Sequence, residues 1–499
     1  MFQGTRALTP AHLFALAAAL PLGIGCGSEA QLDTFEGRLE AALALAESRA
    51  DAFATFANGS HDPDDIAKGR IPEPPGGTAL EQDLLRLVES AESFSEAILL
   101  ARTAGQRPGE VPAVPVELSA REDDPDFEYA GRNLTFPYAV QQALEARRVE
   151  RDAALDVLDE ASFAAYAEEA RVSHAVMRRE VAKRLGWRVD PREDRYVVHA
   201  PDGTIWRRKT PFDYVAPRVE QSASSAPLAP DARLEEQVGV DFGEGLAPAI
   251  IGTDTTDLRS RDNGYTMGGA AWEPKGAIVD DGRSTQEVPV EVDCSGTKIT
   301  ARLVATAGHC MFNDGAWNDN TKWIPGADGI DAAMNGRDPS PNGYKTRSAR
   351  VVRGNWFDHE WSNYDFGVFV LYDNSSSCSL HWHGWRMKRP SGTVYLYGFP
   401  GERRECAASP RSNGWCGGSI YGHGKSISST NSYRMYYTID TQPGHSGSGV
   451  YEITNGDRYV VGTHRGKTSS TRNDGVYITS DNRDLIVDAT NDYPANACN

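Results

Sequence analysis

The chain has 499 residues, of which 40% are hydrophobic and 24% charged, a composition typical of soluble globular proteins. This length exceeds that of one ordinary domain, so we expect two or more globular units. The formal net charge is −19, and residues 245–499 hold only 28 acidic against 25 basic side chains, so the acidic excess is N-terminal. An acidic chain without a basic stripe argues against nucleic acid as a partner.

The first 25 residues have the pattern of an export signal. Arg6 precedes an apolar run over residues 13–24, about half the length that a membrane-spanning helix needs. The run ends in Leu22-Gly-Ile-Gly-Cys26, which resembles the lipobox of bacterial lipoproteins, where the cysteine carries the lipid. We therefore expect export from a bacterial cell with a lipid on Cys26, which would be the protein's one membrane attachment. Simple secretion is the alternative, because the lipobox leucine is replaced by Gly23.

Six of the seven cysteines lie in the last 210 residues of the chain. An even number of cysteines in an exported domain predicts three disulfides, although six cysteines allow fifteen connectivities. Pairing sequence neighbours would join Cys294 to Cys310 and Cys406 to Cys416, and would leave Cys378 with Cys498. None has the spacing of a zinc site, so we predict no metal site and no cofactor.

Residues 26–210 form a mainly helical region by their hydrophobic pattern. Ala-rich and Leu-rich helical stretches occupy residues 31–102, and a longer one runs over residues 137–185 and stops at Gly186. Its apolar positions are expected in the core: Leu144, Leu155, Leu158, Val172 and Val176. A hairpin is predicted over residues 195–208, because Asp202-Gly203 suits a tight turn. No catalytic constellation occurs in this region.

A change of composition marks the start of a second unit. Residues 211–244 contain a Ser, Ala and Pro-rich stretch and predict a flexible linker. After residue 245 the chain consists of short strand-like runs separated by turn residues, which indicates a β-sandwich or barrel. The predicted strands are 287–293, 298–305, 349–353, 366–372, 393–398, 434–439, 448–453, 458–463 and 475–479. Residues 480–489 predict a C-terminal helix.

Three polar side chains in this second unit suit nucleophilic catalysis. A serine hydroxyl needs an adjacent imidazole base, and the imidazole needs a carboxylate that fixes its tautomer. His309, Asp365 and Ser446 offer these groups in the chain order of chymotrypsin-fold proteases. Gly444 allows a sharp turn, so that its amide and that of Ser446 could form an oxyanion hole.

The motifs around these residues resemble a known family. Thr306-Ala-Gly-His309-Cys310, with Cys294 upstream, resembles the histidine loop of trypsin-like enzymes. Four further motifs are similar to the glutamyl endopeptidases: Ile251-Gly-Thr-Asp254, Tyr364-Asp365-Phe366-Gly367, Gly398-Phe-Pro-Gly401 and Gly444-His-Ser-Gly-Ser448. The resemblance covers about residues 250–490. It implies an all-β unit of two six-stranded, chymotrypsin-like barrels over residues 245–499, in which His309 is the base, Asp365 its partner and Ser446 the nucleophile.

The resemblance also implies a substrate preference. In this family a threonine five residues before the nucleophile and a histidine on the following strand hold a glutamate side chain, and Thr441 and His464 stand at these positions. We expect a monomeric serine endopeptidase that cuts protein or peptide substrates after Glu or Asp. Lys467 and His445 depart from the family pattern, so a different cleaved residue is an alternative. A catalytically silent surface binding protein is another.

The region before the protease-like unit has two candidate roles. It could be a pro-region that is released by a cut near Glu244-Gly245 or just before Ile250 or Ile251. Glu235, Glu236 and Glu244 would then be self-cleavage points. The alternative is a permanent stalk that holds the protease away from a lipid-anchored end.

Overall fold

The computed structural model describes the following residues: 32–57, 77–115, 118, 126–134, 136–190, 192–210, 257–259, 275–280, 291–318, 321–326, 347–400, 420–469 and 471–498. The predicted export signal, Cys26 and the predicted linker lie outside these residues, as do Cys406, Cys416 and the five residues at the predicted cleavage points, Glu235, Glu236, Glu244, Ile250 and Ile251. None of the helices within the described ranges is both long enough and apolar enough to span a bilayer.

Eight helices occur in the described residues, five of them before residue 190. They are α1 (Phe35–Ala57), α2 (Gly77–Ser90), α3 (Phe94–Thr103), α4 (Tyr138–Leu155), α5 (Glu160–Leu185), α6 (Gly354–His359), α7 (Ser375–Cys378) and α8 (Ser480–Asp492). The long helix predicted over residues 137–185 is two helices, because Asp159 caps α5 by accepting a hydrogen bond from the amide of Ser162. Helix α5 ends at Gly186, whose φ of 73° is the left-handed conformation expected of a C-terminal cap.

Twenty strands make up the rest of the regular structure of the described residues. The first ten are β1 (Phe127–Arg132), β2 (Asp194–His199), β3 (Thr204–Lys209), β4 (Asp257–Arg259), β5 (Lys275–Asp280), β6 (Glu291–Lys298), β7 (Leu303–Thr306), β8 (Phe312–Asn313), β9 (Ala316–Trp317) and β10 (Thr321–Pro325). The others are β11 (Arg347–Arg353), β12 (Gly367–Leu371), β13 (Gly384–Trp385), β14 (Thr393–Gly398), β15 (Ile420–Ser426), β16 (Ser429–Thr430), β17 (Arg434–Tyr437), β18 (Gly449–Thr454), β19 (Asp457–Ser469) and β20 (Arg472–Tyr477). The prediction of a strand-rich C-terminal half is confirmed.

The first sheet combines strands from both halves of the chain. Its order is β1-β3-β2-β11-β12-β7-β6-β5-β10, so the three N-terminal strands continue a sheet of six strands from residues after 275. The junction is the antiparallel pair β2 and β11, which runs from Arg350 opposite His199 to Arg353 opposite Tyr196. The N-terminal region is therefore part of the same sheet as the predicted protease unit.

The second sheet is built only from residues after 257. Its order is β16-β17-β20-β19-β18-β14-β15-β4, and β13 pairs in parallel with β19. Nine strands occur in each sheet, where six were predicted, because the first sheet gains β1 to β3 and the second gains the short strands β4, β13 and β16.

One hydrophobic core runs through both halves of the chain. It includes Tyr196 and Trp206 from the N-terminal strands together with Val351, Val460 and Leu485, all at most 2% exposed. Apolar side chains of α1 to α5 form a second, N-terminal core. The core prediction is wrong for Val172 and Val176, which are 56% and 59% exposed, because α5 turns its other face, with Ala167, inward.

A disulfide joins Cys294 of β6 to Cys310, which lies in the turn after β7. Cys378 in α7 is also disulfide-bonded, and α7 contacts the 3₁₀ turn Asn496–Cys498. The pairing of Cys378 with Cys498 stays a prediction.

Removing the first disulfide should destabilise the fold. Cys294 and Cys310 are 16 positions apart, and closing a loop of this size contributes about 3 kcal/mol to the free energy of unfolding. We expect the variant carrying both Cys294→Ala and Cys310→Ala to lose roughly that amount in urea-induced unfolding. An unchanged urea midpoint, with an unchanged slope, would show that the disulfide does not restrict the conformations of the unfolded chain.

Candidate active site

His309 and Asp365 are brought together by two neighbouring strands. His309 lies in the turn that follows β7, and Asp365 lies two residues before β12. Strands β7 and β12 pair antiparallel, with Thr306 opposite Gly367, so the end of one strand meets the start of the other. The two side chains therefore occupy adjacent positions because of the register of the sheet.

Asp365 holds His309 through both of its carboxylate oxygens. Its Oδ2 lies 2.7 Å from His309 Nδ1, and its Oδ1 accepts the backbone N–H of His309 at 2.8 Å. The Asp365 side chain is 2% exposed and that of His309 26%. Because an ionised carboxylate only accepts hydrogen bonds, Nδ1 carries the imidazole proton and Nε2 is left as the basic nitrogen.

Ser446 lies in a tight turn that is hydrogen-bonded to both sheets. Its carbonyl accepts the amide of Ser295 in β6 at 2.7 Å, and its hydroxyl donates to the carbonyl of Arg465 in β19 at 3.2 Å. The amide of Gly447 donates to the carbonyl of His464 at 2.7 Å. These bonds fix the turn between β6 and β19.

Gly447 brings the serine turn against the strand that leads to His309. A Cβ at Gly447 would lie 2.1 Å from Thr306 Oγ1 and 3.0 Å from the amide nitrogen of Ala307. Since Ala307 is two residues before His309, the serine turn and the histidine turn are in direct contact.

The amides of Gly444 and Ser446 are unoccupied donors in this turn. The amides of His445 and Gly447 donate to the carbonyls of Gln442 and His464, whereas those of Gly444 and Ser446 have no acceptor among the described residues. The Gly444 carbonyl accepts the Ser295 hydroxyl at 2.7 Å, which fixes the orientation of the next peptide group. Two free amides on either side of His445 can stabilise an oxyanion.

Thr441 and His464 are buried beside the serine turn. Thr441 is fully buried and its Oγ1 has no hydrogen-bond partner among the described residues, an arrangement that costs free energy unless a ligand supplies one. His464 is 1% exposed, its amide donates to the Ser448 carbonyl, and its Nδ1 lies 2.8 Å from the Tyr437 hydroxyl. Burial, together with the nearby imidazole of His445, lowers the pKa of His464 to about 3, so the ring is neutral at neutral pH.

The positive charge expected from Arg465 is neutralised within the protein. Its Nε lies 3.0 Å from the fully buried carboxylate of Asp474. Although burial opposes its charge, Asp474 raises the pKa of Arg465. The sequence pattern gave no signal for Asp474, which lies in β20 and also pairs with Arg434. Arg465 is therefore not a free cation for a substrate.

His445 has a structural position, although it precedes the serine. It is fully buried, its Nδ1 accepts the amide of Gln442 at 3.0 Å, and its Nε2 lies 3.1 Å from the Tyr421 carbonyl. One nitrogen of His445 thus has its partner in the turn and the other has its partner in β15, so neither nitrogen is left free to act as a base.

One group of three potential metal ligands occurs among the described residues. It consists of Cys294, His309 and Cys310. The two sulfur atoms are bonded to each other, so neither can be the thiolate that a metal requires. This donor set does not fit a metal ion.

Replacing Gly447 by alanine should destabilise the serine turn. Its φ is 79°, and an added Cβ would also lie 2.3 Å from the Ser295 carbonyl. Gly456 is the matched control, because its φ is 86° and nothing lies within 4 Å of an added Cβ. Both variants carry the left-handed backbone cost of about 1–2 kcal/mol, and Gly447→Ala should lose roughly 1–3 kcal/mol more through overpacking. Equal denaturant midpoints for the two variants would contradict the contact with β7.

Comparison with family models found no match. Two curated proteins are similar in sequence to part of the chain. An extracellular metalloprotease of Bacillus subtilis strain 168 is 28% identical over 197 residues, which are 38% of this chain and 55% of the relative. A glutamyl endopeptidase of Bacillus licheniformis is 26% identical over 164 residues, which are 32% of this chain and 45% of the relative. The chain thus spans about half the length of the curated relatives it matches.

Solved structures similar to this chain are also proteases. A Glu endopeptidase in complex with MPD is 23% identical, with a TM-score of 0.39 over 48% of this chain and 99% of that chain. The protease Anisep of Arthrobacter nicotinovorans is 20% identical, with a TM-score of 0.35 over 46% of this chain and 98% of that chain. The curated glutamyl endopeptidase confirms the resemblance that the motifs predicted: part of the chain is similar to the glutamyl endopeptidases among the trypsin-like serine proteases.

Proposed function

We propose that this protein is a serine endopeptidase that uses His309, Asp365 and Ser446. The observation that carries the proposal is the pair of hydrogen bonds that Asp365 accepts from the ring and the backbone amide of His309. This carboxylate fixes the Nδ1–H tautomer and will stabilise the imidazolium, which are the two tasks of the acid in a serine protease. The adjacent serine turn supplies the nucleophile.

The reaction proceeds in two acyl-transfer steps. Ser446 Oγ attacks the substrate carbonyl while its proton passes to Nε2 of His309, and the resulting oxyanion accepts hydrogen bonds from the amides of Gly444 and Ser446. His309 then donates this proton to the leaving amine as the peptide bond breaks. Water attacks the acyl-enzyme by the same route, with His309 as base, and releases the acid product and free Ser446.

The proposal extends to the finer fold and to the site of action. We infer that the two sheets close into chymotrypsin-like barrels, since six strands of the first sheet come from residues after 275. We further infer export, on the basis of the signal pattern of residues 1–25, with Cys26 as the lipid site. Protein or peptide chains are the substrates, and the protein acts as a monomer.

We infer that the enzyme cleaves the peptide bond after a glutamate or aspartate, and that Thr441 and His464 hold the carboxylate of this residue. Thr441 offers a buried hydroxyl without a partner, and His464 offers a buried imidazole that is neutral when the pocket is empty. A bound carboxylate favours the imidazolium, so binding raises the pKa of His464 and takes up a proton. The carboxylate and the imidazolium then neutralise each other in a buried site.

The alternatives differ in what the protein cleaves, or whether it cleaves at all. Peptides that differ only at the residue before the scissile bond separate a glutamate-specific enzyme from one with another preference. A surface binding protein would cleave none of them.

Metal-dependent hydrolysis, which the name of the B. subtilis relative suggests, is disfavoured by the donor set at Cys294, His309 and Cys310. Incubation with EDTA should leave the rate of cleavage unchanged.

Ser446→Ala should abolish cleavage. Removing the nucleophile of a serine protease lowers kcat by roughly 10⁶-fold, and Asp365→Asn should lower it by roughly 10⁴-fold because the tautomer is no longer fixed. Ser448→Ala is the matched control, since Ser448 is a buried serine of the same turn whose hydroxyl has no partner. We expect it to keep kcat within a few-fold on a glutamate-containing peptide. Cleavage by purified Ser446→Ala would remove Ser446 from its role.

The preference for glutamate should weaken as the pH rises. Because binding takes up a proton on His464, the KM for a glutamate peptide should rise with pH between the low pKa of the free ring and the raised pKa of the occupied pocket, and should level off above the latter. A peptide with glutamine at the same position takes up no proton and is the control. We therefore expect the ratio of kcat/KM for the two peptides to be larger at pH 6 than at pH 8. A constant ratio would contradict the role of His464.

A further inference from the structure

The segment that carries Asp365 is held by residues of the N-terminal half. Residues 354–365 connect β11 to β12 and are called the acid segment below. Arg151 of α4 donates to the carbonyls of His359 and Glu360, the latter at 3.1 Å. Arg102 at the end of α3 donates to the carbonyl of Phe357 and stacks on its ring at 3.6 Å. Three carbonyls of the acid segment are thus satisfied by N-terminal arginines.

The buried charge of the acid segment is also balanced from the N-terminal half. Asp358 is 7% exposed and accepts a hydrogen bond at 2.9 Å from Arg207 of β3. Arg178 and His174 of α5 lie 3.8 Å from the same carboxylate. The two guanidinium groups that pair with Asp358 among the described residues, those of Arg207 and Arg178, therefore both precede residue 210. Without them the carboxylate would be buried without a counter-charge, which proteins avoid.

Aromatic packing extends these contacts to within four residues of Asp365. Trp361 is 1% exposed, and its ring lies 5.9 Å from that of Phe163 and 6.1 Å from that of Tyr166, both on α5. His359 stacks on Trp361 at 4.1 Å, and its Nδ1 lies 2.7 Å from the hydroxyl of Ser95. The acid segment is therefore packed against α3, α4 and α5.

The same helices reach the second sheet. Asp156, between α4 and α5, lies 3.7 Å from Arg434 of β17, and the ring of Phe163 lies 6.4 Å from that of Tyr433. Tyr433 also lies 5.3 Å from Tyr364, the residue before Asp365. The N-terminal helices thus fix the acid segment against the sheet that carries the nucleophile.

We propose that residues 32–210 are a permanent part of the active enzyme that positions Asp365, with Arg151 as a positioning residue. The inference rests on the proposed function for its catalytic readout. It replaces both predicted roles of the N-terminal half: a cut between residues 210 and 257 leaves this region bound to the rest. Such a cut produces a two-chain enzyme and releases no pro-region.

Arg151→Met tests the positioning role, with Arg147→Met as the matched control. Arg147 lies one turn earlier on α4 and donates to the carbonyls of Glu89 and Ala91, away from the acid segment. We expect Arg151→Met to lower kcat roughly tenfold to a hundredfold with KM unchanged, because a small displacement of Asp365 misaligns His309. Arg151→Lys keeps one charged donor and should recover part of kcat, and Arg147→Met should match wild type. An unchanged kcat in folded Arg151→Met would overturn the positioning role.

A second readout does not depend on catalysis. The proton between His309 Nδ1 and Asp365 gives a low-field resonance in the proton NMR spectrum, which Asp365→Asn should abolish and so assign. We expect this resonance to shift or broaden in Arg151→Met and to be unchanged in Arg147→Met. If wild type cleaves no peptide, the proposed function fails, while this resonance still tests whether Arg151 positions Asp365. Identical spectra of wild type and Arg151→Met would overturn the inference.

Cutting the chain tests whether the N-terminal half stays bound. A recognition sequence for a specific protease is inserted between residues 225 and 226 of the full chain, and the purified protein is cut to completion. We expect both fragments to coelute in size-exclusion chromatography with the kcat of the uncut protein. Separation of the fragments under native conditions, or full kcat in a fraction that lacks residues 32–210, would overturn the proposal.

Discussion

Asp365 can orient His309 only while the acid segment, residues 354–365 between β11 and β12, keeps its shape. That connection contains a buried carboxylate at Asp358, and the guanidinium that neutralises it belongs to Arg207, 151 positions earlier in the chain. A carboxylate of this kind is stable only beside its counter-charge, so the catalytic geometry depends on a contact between distant parts of the sequence. The first sheet, which both halves of the chain share, and the helices α3 to α5 also hold the acid segment in place.

Burial determines the charge state of several side chains around the site. It lowers the pKa of His174 to about 4 and that of His464 to about 3, so both imidazoles are neutral at neutral pH. It raises the pKa of Glu360 to about 8, and nearby Asp314 adds to this, so Glu360 is largely protonated there. His309, by contrast, is partly exposed, and its Nδ1 lies 2.7 Å from the carboxylate of Asp365.

The sequence indicated His309, Asp365 and Ser446 as candidates because each lies in a local motif beside a strand, and the structure brings His309 and Asp365 into hydrogen-bonding contact. It did not predict β15, since Gly422 and Gly424 resemble a turn; the structure needs Gly422 because a Cβ there would lie 1.9 Å from the Leu396 carbonyl. Strand β5 was missed because it begins with Lys275, a polar residue that is 1% exposed. The pairing of β2 with β11 leaves no local pattern at all, so neither strand alone indicates that the N-terminal half completes the sheet.

The position of the N-terminal strands at one end of the first sheet has a consequence for biosynthesis. During translation β2 and β3 form before their neighbour β11 exists, and they expose an unpaired edge until residue 353 leaves the ribosome. Contacts across such sequence separations form late in folding. The pairing of β2 with β11 therefore cannot form on a nascent chain before residue 353 is available, so the N-terminal half acquires its last sheet neighbour only late in synthesis.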